Sequence, residues 1–563
     1  MISNLGPERL LVFVETSINI DSEAHEEWGF NAFSLIEAAG RGCALAFMEA
    51  FPEFFKKPRI TVIAGTGNNG ADAMVMLRYW IISGLILPSS SALVVSRMPK
   101  SNETGPWVEL LKSLRKMKVP VLVWDGDVGE AAGRASDDIL AQADIIIDGI
   151  TGTGLKGPLK DTALDMVNAV NSHRKNKEKS ETSSVSAPHS TLVVSVDLPS
   201  GNFDNWEPGM PIIDADFTLA IEPKKYCLYT PSARPYAGKI ISVGGVFPRE
   251  IINRHKGIEF LSWKNIKDDI AKIPPEAYKN ERGTVEIRAG SIGASGAALI
   301  AARGAQAAGA GMVRLVVDDE IYPVLAARAA GVMVAPVSAE KDNFGFKYRP
   351  DAILLGPGWS GTEYRTEYRT EYRTEYRTEY RAVSFEKALA LEKNGIPLVL
   401  DAGAIELGRN TVFNGNVIIT PHPGEFSKFT GIEKEELLYR PVPILLKYAK
   451  ERNALILFKA HVITIAGPDG RVGVVDGMTP GLAAGGSGDL LAGFCVAIAA
   501  RMVQAGMNFD AYTCAAAASS LLFASGRCLK TRFTDPMELA DKAADLAGQA
   551  WLNPIDHIHA GDR

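Results

Sequence analysis

The sequence predicts an α/β protein of two three-layer α/β/α domains. Three observations carry that prediction: the length, the alternation of short apolar runs with amphipathic stretches, and one polar break between two such series. At 563 residues the chain exceeds what one hydrophobic core serves, at roughly 100–200 residues per domain. Hydrophobic residues make up 46% and charged residues 22%, ordinary globular composition that excludes wholesale disorder and a fibrous chain. Sixty Lys and Arg against 66 Asp and Glu leave a net charge of −6. Basic nucleic-acid binders lean the other way, so no nucleic-acid partner is expected.

The first series of Val- and Ile-rich runs comprises RITVIAG from Arg59, ALVVSR from Ala92, VPVLVWDG from Val119, ADIIIDGI from Ala143 and TLVVSVDLPSG from Thr191. Continuous apolar runs separated by helical patterns indicate parallel strands buried on both faces. Ligands of such sheets are expected at the carboxyl ends of the strands. The second series comprises GTVEIRAG from Gly283, GMVRLVVD from Gly311, DAILLGPG from Asp351, PLVLDAGA from Pro397, VIITPHPGE from Val417 and ALILFKA from Ala454. Between them lies RHKGIEFLSWKNIKDDIAKIPPEAYKNERG, polar and carrying a Pro pair. The boundary is placed within about ten residues of Asn265, giving domains 1–255 and 256–563.

Two segments depart from the pattern. Asn171–Ser190 is charged and Ser-rich and reads as a flexible surface loop. Thr362–Arg381 is five tandem copies of TEYR. As a helix it stacks Glu on Glu and Arg on Arg at i,i+4, and as a strand it offers no core face, so an exposed insertion is expected. The five cysteines are scattered and form no CxxC pair, which favours a reducing compartment over a disulfide framework or a cysteine zinc site. The start lacks a basic segment followed by an apolar run, so no secretory signal is read. The apolar stretch near Leu490–Ala500 is too short to span a bilayer. A cytoplasmic protein with no membrane partner is expected.

The first candidate site begins where RITVIA runs into Gly65-Thr66-Gly67-Asn68-Asn69-Gly70-Ala71-Asp72. Glycines at a strand end let backbone amides approach an anionic group, and a following helix adds its positive N-terminus. Alone, such a turn is equally a tight turn with capping residues. Two more strand ends add carboxylates and glycines: Asp148, followed by Gly152-Thr153-Gly154-Leu155-Lys156-Gly157-Pro158 after a short turn, and Asp197-Leu198-Pro199-Ser200-Gly201. Three such ends would converge on one crevice of a parallel sheet.

These residues resemble the NAD(P)H-hydrate epimerase family, the Rossmann-like YjeF amino-terminal domain, over roughly residues 10–250. The helical segment Phe33–Gly42 and the IEPKK around Lys224 belong to the resemblance. It implies a potassium ion on Asn69, Asp148 and Ser200, all-oxygen ligands suited to a hard cation. It also implies that Asn68–Asp72, Gly152–Pro158 and Asp197 hold the hydrated nicotinamide nucleotide. Asp197 is then the acid/base group of epimerisation. Where the family reads NNGGDG, this chain has Ala71 and Ala73. Each methyl is expected to crowd a ligand, or to strain any positive-φ backbone by about 1–2 kcal/mol.

The second candidate site centres on Gly485-Gly486-Ser487-Gly488-Asp489-Leu490-Leu491-Ala492-Gly493. Small residues opening a helix make a nest of backbone N–H groups for a phosphate or a developing anion. An Asp there repels phosphate but suits a general base that takes a proton from a hydroxyl attacking phosphorus. The competing reading is a helix-packing motif rich in small residues. Other strand ends add Gly356-Pro357-Gly358, Thr420-Pro421-His422-Pro423-Gly424-Glu425 and Lys459, and Gly293–Ala298 opens an Ala-rich helix. His422 is framed by prolines, although a lone histidine is more often structural. Lys459 would meet nucleotide phosphate or serve as a salt-bridged strand end.

Together these resemble the ADP-dependent NAD(P)H-hydrate dehydratase family, the YjeF carboxyl-terminal domain with a ribokinase-like fold, over about residues 270–550. The resemblance implies that Ala297, Gly358, His422 and Asp489 contact the hydrated nucleotide. Lys459, Ala460, His461, Val462, Ile463 and Gly488 would contact the adenine nucleotide. KAHVI stands where the family carries KG-x-x-T. Asp489 would deprotonate the ring hydroxyl for attack on the terminal phosphate of ADP, with magnesium and the small-residue amides stabilising the transfer.

The reading is a bifunctional repair enzyme with small-molecule substrates, the NADH and NADPH hydrates and ADP. It would epimerise the R and S hydrates and dehydrate the S form. A homo-oligomer is compatible with it, the symmetry unset by one sequence. The alternative is a small-molecule kinase of the ribokinase superfamily fused to a non-catalytic nucleotide-binding module.

Overall fold

A computed structural model describes residues 6–56, 58–124, 139–181, 191–340, 349–359, 371–529 and 534–552. The chain divides into two units, Met1–Glu259 and Phe260–Arg563.

The strands of the first unit are β1 (Leu10–Val12), β2 (Ile60–Ala64), β3 (Ser91–Val95), β4 (Val121–Val123), β5 (Ile145–Gly149), β6 (Leu192–Val196), β7 (Phe217–Ile221), β8 (Lys224–Lys225) and β9 (Lys239–Val243). Seven of them form a parallel sheet in the order β4-β3-β2-β5-β6-β7-β9. The chain therefore runs outward in one direction from β2 to β4 and in the other from β5 onward, so the strand order reverses between β2 and β5. Open α/β sheets bind ligands at that place.

The helices are α1 (Val14–Trp28), α2 (Ala32–Ala50), α3 (Asn68–Ile82), α4 (Pro106–Lys116), α5 (Asp161–Glu181) and α6 (Arg249–Arg254). Alternation along each strand sends side chains to both faces. Val62 and Ile147 join one core with Phe47 of α2 and Met74 of α3. Ile63 and Ile146 join the other with Met166 and Val167 of α5. Gly40 lets α2 close on α3, because a Cβ there would lie 2.5 Å from the Asp72 carbonyl.

In the second unit the strands are β10 (Thr284–Arg288), β11 (Met312–Val317), β12 (Met333–Pro336), β13 (Ala352–Leu355), β14 (Leu398–Leu400), β15 (Val417–Ile419), β16 (Leu455–Phe458), β17 (Val462–Ala466) and β18 (Val472–Asp476). Their order is β12-β11-β10-β13-β14-β15-β16-β17-β18. Pairing is parallel as far as β16 and antiparallel beyond it. Here too the order reverses, between β10 and β13.

The helices of this unit are α7 (Trp263–Ile266), α8 (Ser295–Ala307), α9 (Tyr322–Arg328), α10 (Glu371–Glu392), α11 (Gly403–Leu407), α12 (Pro423–Thr430), α13 (Lys434–Tyr439), α14 (Pro441–Arg452), α15 (Ser487–Gln504), α16 (Ala511–Cys528) and α17 (Pro536–Trp551). One face of the sheet packs on α8, α15, α16 and α17, the other on α10 to α14. Helix α15 is 18 residues long with a mean hydropathy of 1.2, and 72% of it is buried inside the fold. It is apolar on every side because helices and sheet surround it.

Two segments differ from the sequence expectation. Asn171–Glu181 continues α5 instead of forming a loop. Two of its polar side chains dock: Asn171 Nδ2 donates to the Ile212 carbonyl at 2.8 Å and Arg174 to Asp216 at 2.8 Å. Residues 182–190 lie outside the described ones, as do 362–370 of the TEYR repeats. The repeats from Glu371 are helical despite their like-charge stacking. The helix runs on into AVSFEKALALE, where Phe385 and Ala388 are buried. Tyr380 of the last repeat is buried with them, with its ring 6.0 Å from Trp359. The apolar continuation sets the helix, and the end of the repeat supplies core.

Candidate functional site

The first site lies where the first unit's strand order reverses. Asp148 is the last residue but one of β5, fully buried, and both of its oxygens accept hydrogen bonds. Oδ2 takes Ser195 Oγ at 2.8 Å and the Ser200 amide at 2.9 Å; Oδ1 takes Ser200 Oγ at 2.5 Å and the Ile150 amide at 3.2 Å. Burial raises its carboxyl, and the Ser200 and Ser195 bonds oppose that. Asn69, in the first turn of α3, donates to the Thr151 carbonyl at 2.8 Å, and the Thr151 amide donates to Ser200 Oγ at 2.8 Å. Asn69, Asp148 and Ser200 are thus drawn together around Thr151, and among the described residues no ion pair reaches Asp148. A buried carboxylate without a cationic partner among the described residues, beside the side-chain oxygens of Asn69 and Ser200, offers the all-oxygen donors that suit a hard cation such as potassium.

Asp197 follows β6 with a left-handed backbone, φ 61°. Its Oδ1 accepts from Lys225 Nζ at 2.7 Å and from the Ile221 amide at 3.2 Å. Both side chains of this ion pair are buried. They line a cavity of about 110 Å³ with Asn68, Asp72 and Thr153. Asp72 Oδ1 is buried without a hydrogen-bond partner. Burial, and then the charge of Asp197, push the Asp72 carboxyl well above its usual range, with Lys225 opposing. One cavity therefore holds an ion-paired carboxylate and a carboxyl driven toward its protonated form.

The other expected residues fall around this core. Asn68–Asp72 make the first turn of α3, and Gly70 is required there because a Cβ would lie 2.3 Å from the Gly65 carbonyl. Ala71 and Ala73 are buried helical residues, and neither has a positive φ. The expected backbone strain is therefore absent at both. Gly152 packs on Asn69 and Thr153 reaches the cavity, whereas Gly154, Leu155, Lys156, Gly157 and Pro158 do not line it. Sequence reasoning missed Lys225. Its signal was a pair of lysines inside the apolar run AIEPKKYCLY, both of them buried.

In the second unit, Asp489 sits in the first turn of α15, behind Gly486 at φ 96°. Burial, then Asp401, raise its carboxyl to about 7, and Lys459 opposes them. Lys459 Nζ donates to Asp401 Oδ1 at 2.5 Å and lies 4.0 Å from Glu425 Oε2. Burial acts to lower the Lys459 ammonium, but Asp401 and Glu425 outweigh it and raise it. Asp401 is buried and also accepts from Thr420 Oγ1 at 2.7 Å. It was missed in the sequence, where PLVLDAGA read only as a strand end.

His422 caps α12. Its Nδ1 accepts from the Gly424 and Glu425 amides at 3.0 and 3.3 Å, and Glu425 Oε2 accepts from the His422 amide at 2.8 Å. A nitrogen accepting two N–H groups is unprotonated, which fixes the proton of the neutral ring on Nε2. Burial lowers the ring's pKa, with Lys459 adding to the effect and Glu425 opposing it. The lone histidine is thus a structural cap as well as a presented side chain.

A cavity of about 550 Å³ is lined by His422, Lys459, Ala460, His461, Ile463 and Gly488, among others. Val462 is buried on β17 and does not line it; neither does Asp489, the neighbour of Gly488 in sequence. Gly358, at φ 71°, closes on α8: a Cβ there would meet the Ala294 carbonyl at 2.6 Å and the Ala297 methyl at 2.8 Å. Gly493 does serve helix packing, since a Cβ would lie 2.2 Å from the Ala301 carbonyl. The helix-packing role read for the small-residue motif is therefore present at its far end, Gly493. Among the described residues no three His, Cys, Asp or Glu side chains are grouped to hold a metal. Magnesium fits here as an ion borne on nucleotide phosphates, its usual mode of binding.

The NAD(P)H-hydrate dehydratase family model matches residues 285–546 and the YjeF-related protein N-terminus model matches 32–227. The chain is 26% identical to the bifunctional NAD(P)H-hydrate repair enzyme Nnr of Moorella thermoacetica, over 87% of each chain. It is 25% identical to the Escherichia coli protein of that name, over 95% of this chain and 92% of the other. The structure of the ADP/ATP-dependent NAD(P)H-hydrate dehydratase from Bacillus subtilis, co-crystallised with ATP and Mg2+, is 23% identical. It covers 53% of this chain and all of its own length, at a TM-score of 0.43. With both models matched in succession, the chain belongs to the family that joins a YjeF-related N-terminal domain to an NAD(P)H-hydrate dehydratase domain.

Proposed function

We propose that the first unit epimerises hydrated NADH and NADPH and that the second dehydrates the S epimer at the expense of ADP, with AMP and phosphate as products. The observation that carries the reading is Asp489, a carboxyl raised to about 7 in the first turn of a helix opened by small residues. A general base works best with a pKa near the working pH.

In the second unit Asp489 takes the proton from the ring hydroxyl of the hydrate. The hydroxyl oxygen bonds to the terminal phosphorus of ADP, and the bond from that phosphorus to AMP breaks. The carbon–oxygen bond then breaks, phosphate leaves, and loss of the neighbouring ring proton restores the reduced nicotinamide. Lys459, held by Asp401, faces the phosphates with a fixed positive charge, and the backbone amides of the first turn add neutral donors. Magnesium carried on those phosphates would supply further charge neutralisation.

In the first unit Asp197, ion-paired with Lys225, exchanges protons at the hydrated ring carbon, and Asp72, its carboxyl pushed well above the usual range by burial, faces the same cavity. Potassium at Asn69, Asp148 and Ser200 would fix the loop after β5. Fusion suits the chemistry, because a stereospecific dehydratase leaves the R hydrate stranded without an epimerase. The five free cysteines support a reducing, cytoplasmic setting.

The test is to give the full chain both hydrate epimers with potassium, magnesium and ADP or ATP, and to follow reduced nicotinamide absorbance. Conversion of the whole mixture, faster than the epimers interconvert unaided, supports both activities, and the faster nucleotide identifies the donor. Recovery that stops when the S epimer is spent removes the epimerase. No recovery with either nucleotide removes the dehydratase.

A further inference from the structure

A cavity of about 430 Å³ in the second unit is used by neither reaction. It lies between α7, β18 and the carboxyl-terminal part of α16. Phe523 lines both this cavity and the 550 Å³ one. Trp263, Val475 and Leu546 supply apolar wall. Lys264, Lys267 and Arg527 bring three positive charges, and no acidic side chain among the described residues lines the space. Neither lysine enters an ion pair among the described residues, and Arg527 is steadied by donating to the Asp476 carbonyl at 2.5 Å.

Ser520 is the second observation. It is 1% exposed, its Oγ has no hydrogen-bond partner, and it lines this cavity. A buried hydroxyl left unpaired costs free energy unless something completes it. Three cations around an aromatic, mostly apolar pocket with one unsatisfied hydroxyl define the complement: a flat ring carrying an anionic group, of nucleoside monophosphate size.

We propose that this cavity is a second ligand site, for an aromatic organic anion such as a nucleoside monophosphate. The anion would meet Lys264, Lys267 and Arg527, the ring would lie along Trp263 and Phe523, and Ser520 would hydrogen-bond to it. The site stands independently of the reactions assigned to the two units.

Cys528 makes the test specific to this site, since it lines the cavity and is exposed while Cys43, Cys227, Cys495 and Cys514 are buried. The full chain is alkylated with N-ethylmaleimide with and without saturating AMP, and modification of Cys528 is followed by mass spectrometry. AMP is expected to slow that modification several-fold. In the K264E/K267E double variant, changed at two positions outside both catalytic sites, the protection is expected to vanish while ADP-driven dehydration continues. Unprotected Cys528 in the wild type overturns the proposal, and so does protection that survives in the double variant.

Discussion

Lys225 Nζ lies 2.7 Å from Asp197 Oδ1, and the two side chains are 3% and 9% exposed. A pair this buried is costly to break, because either partner alone would be an uncompensated charge. The pair sets Asp197 beside Asp72, whose carboxyl burial and then the charge of Asp197 push well above its usual range. One cavity thus holds a carboxylate with a lysine partner and a buried carboxyl whose Oδ1 has no hydrogen-bond partner.

Asp197→Asn is expected to abolish exchange between the hydrate epimers and to leave dehydration of the S form intact. Lys225→Met is expected to lose exchange as well and to destabilise the first unit by about 3–5 kcal/mol. Chromatographic separation of the epimers over time, with urea unfolding of each variant, checks both. Exchange that survives in Asp197→Asn would remove Asp197 from the chemistry.

Asp489 predicts a pH profile. If it is the base, kcat/KM for dehydration falls about tenfold per pH unit below about 7 and levels off above it. Stability must show the same group with opposite sign. A carboxyl raised in the folded state costs stability as pH rises from its unfolded value near 4 toward about 7. Asp489→Asn should therefore be inactive, yet gain in melting temperature over wild type across that interval, with a constant gain above it. Parallel melting curves from pH 4 to pH 8 decide the matter.

His422 separates capping from binding. His422→Ala removes the acceptor for two helix amides and should cost about 1 kcal/mol. His422→Asn restores a good cap and should recover that stability. If the ring also contacts substrate, both variants raise KM for the hydrate alike. A KM that follows stability instead would leave His422 a cap alone.

Ala402, directly after Asp401, has φ 45° and ψ −125°, a backbone region nearly reserved for glycine. Ala402→Gly is expected to stabilise the second unit by about 1 kcal/mol and to lower kcat, because Asp401 then holds Lys459 less firmly. A stabilised variant of unchanged kcat would show that the strain has no catalytic use.

Potassium should raise the melting transition of the first unit above that in choline chloride of equal ionic strength. Asp148→Ala should erase the difference. Equal melting of the wild type in the two salts would leave Asp148 a purely hydrogen-bonding residue.

Much of the site was legible because parallel strands end in recognisable turns. Asp148 and Asp197 were visible as carboxylates closing apolar runs, and Asp489 as the acid inside a small-residue helix start. Lys225 and Asp401 escaped because their roles depend on partners 28 and 58 residues away, and no local pattern records such a pairing. Asn171–Glu181 was misread because Asn171 and Arg174 spend their polarity on hydrogen bonds to the segment near Ile212–Asp216. Tyr380 escaped because a repeated tetrapeptide hides which copy meets the core.

The contact between Gly493 and Ala301 gives α15 a second kind of importance. Asp489 stands one turn away, on the same rigid rod, so its aim is set by how far two helix backbones approach each other behind it. A methyl group added at Gly493 would touch neither substrate nor cavity, yet it would lever the base out of line. Hydrate repair in this chain can therefore be lost through a change in the spacing of its scaffold, with every reacting side chain still present.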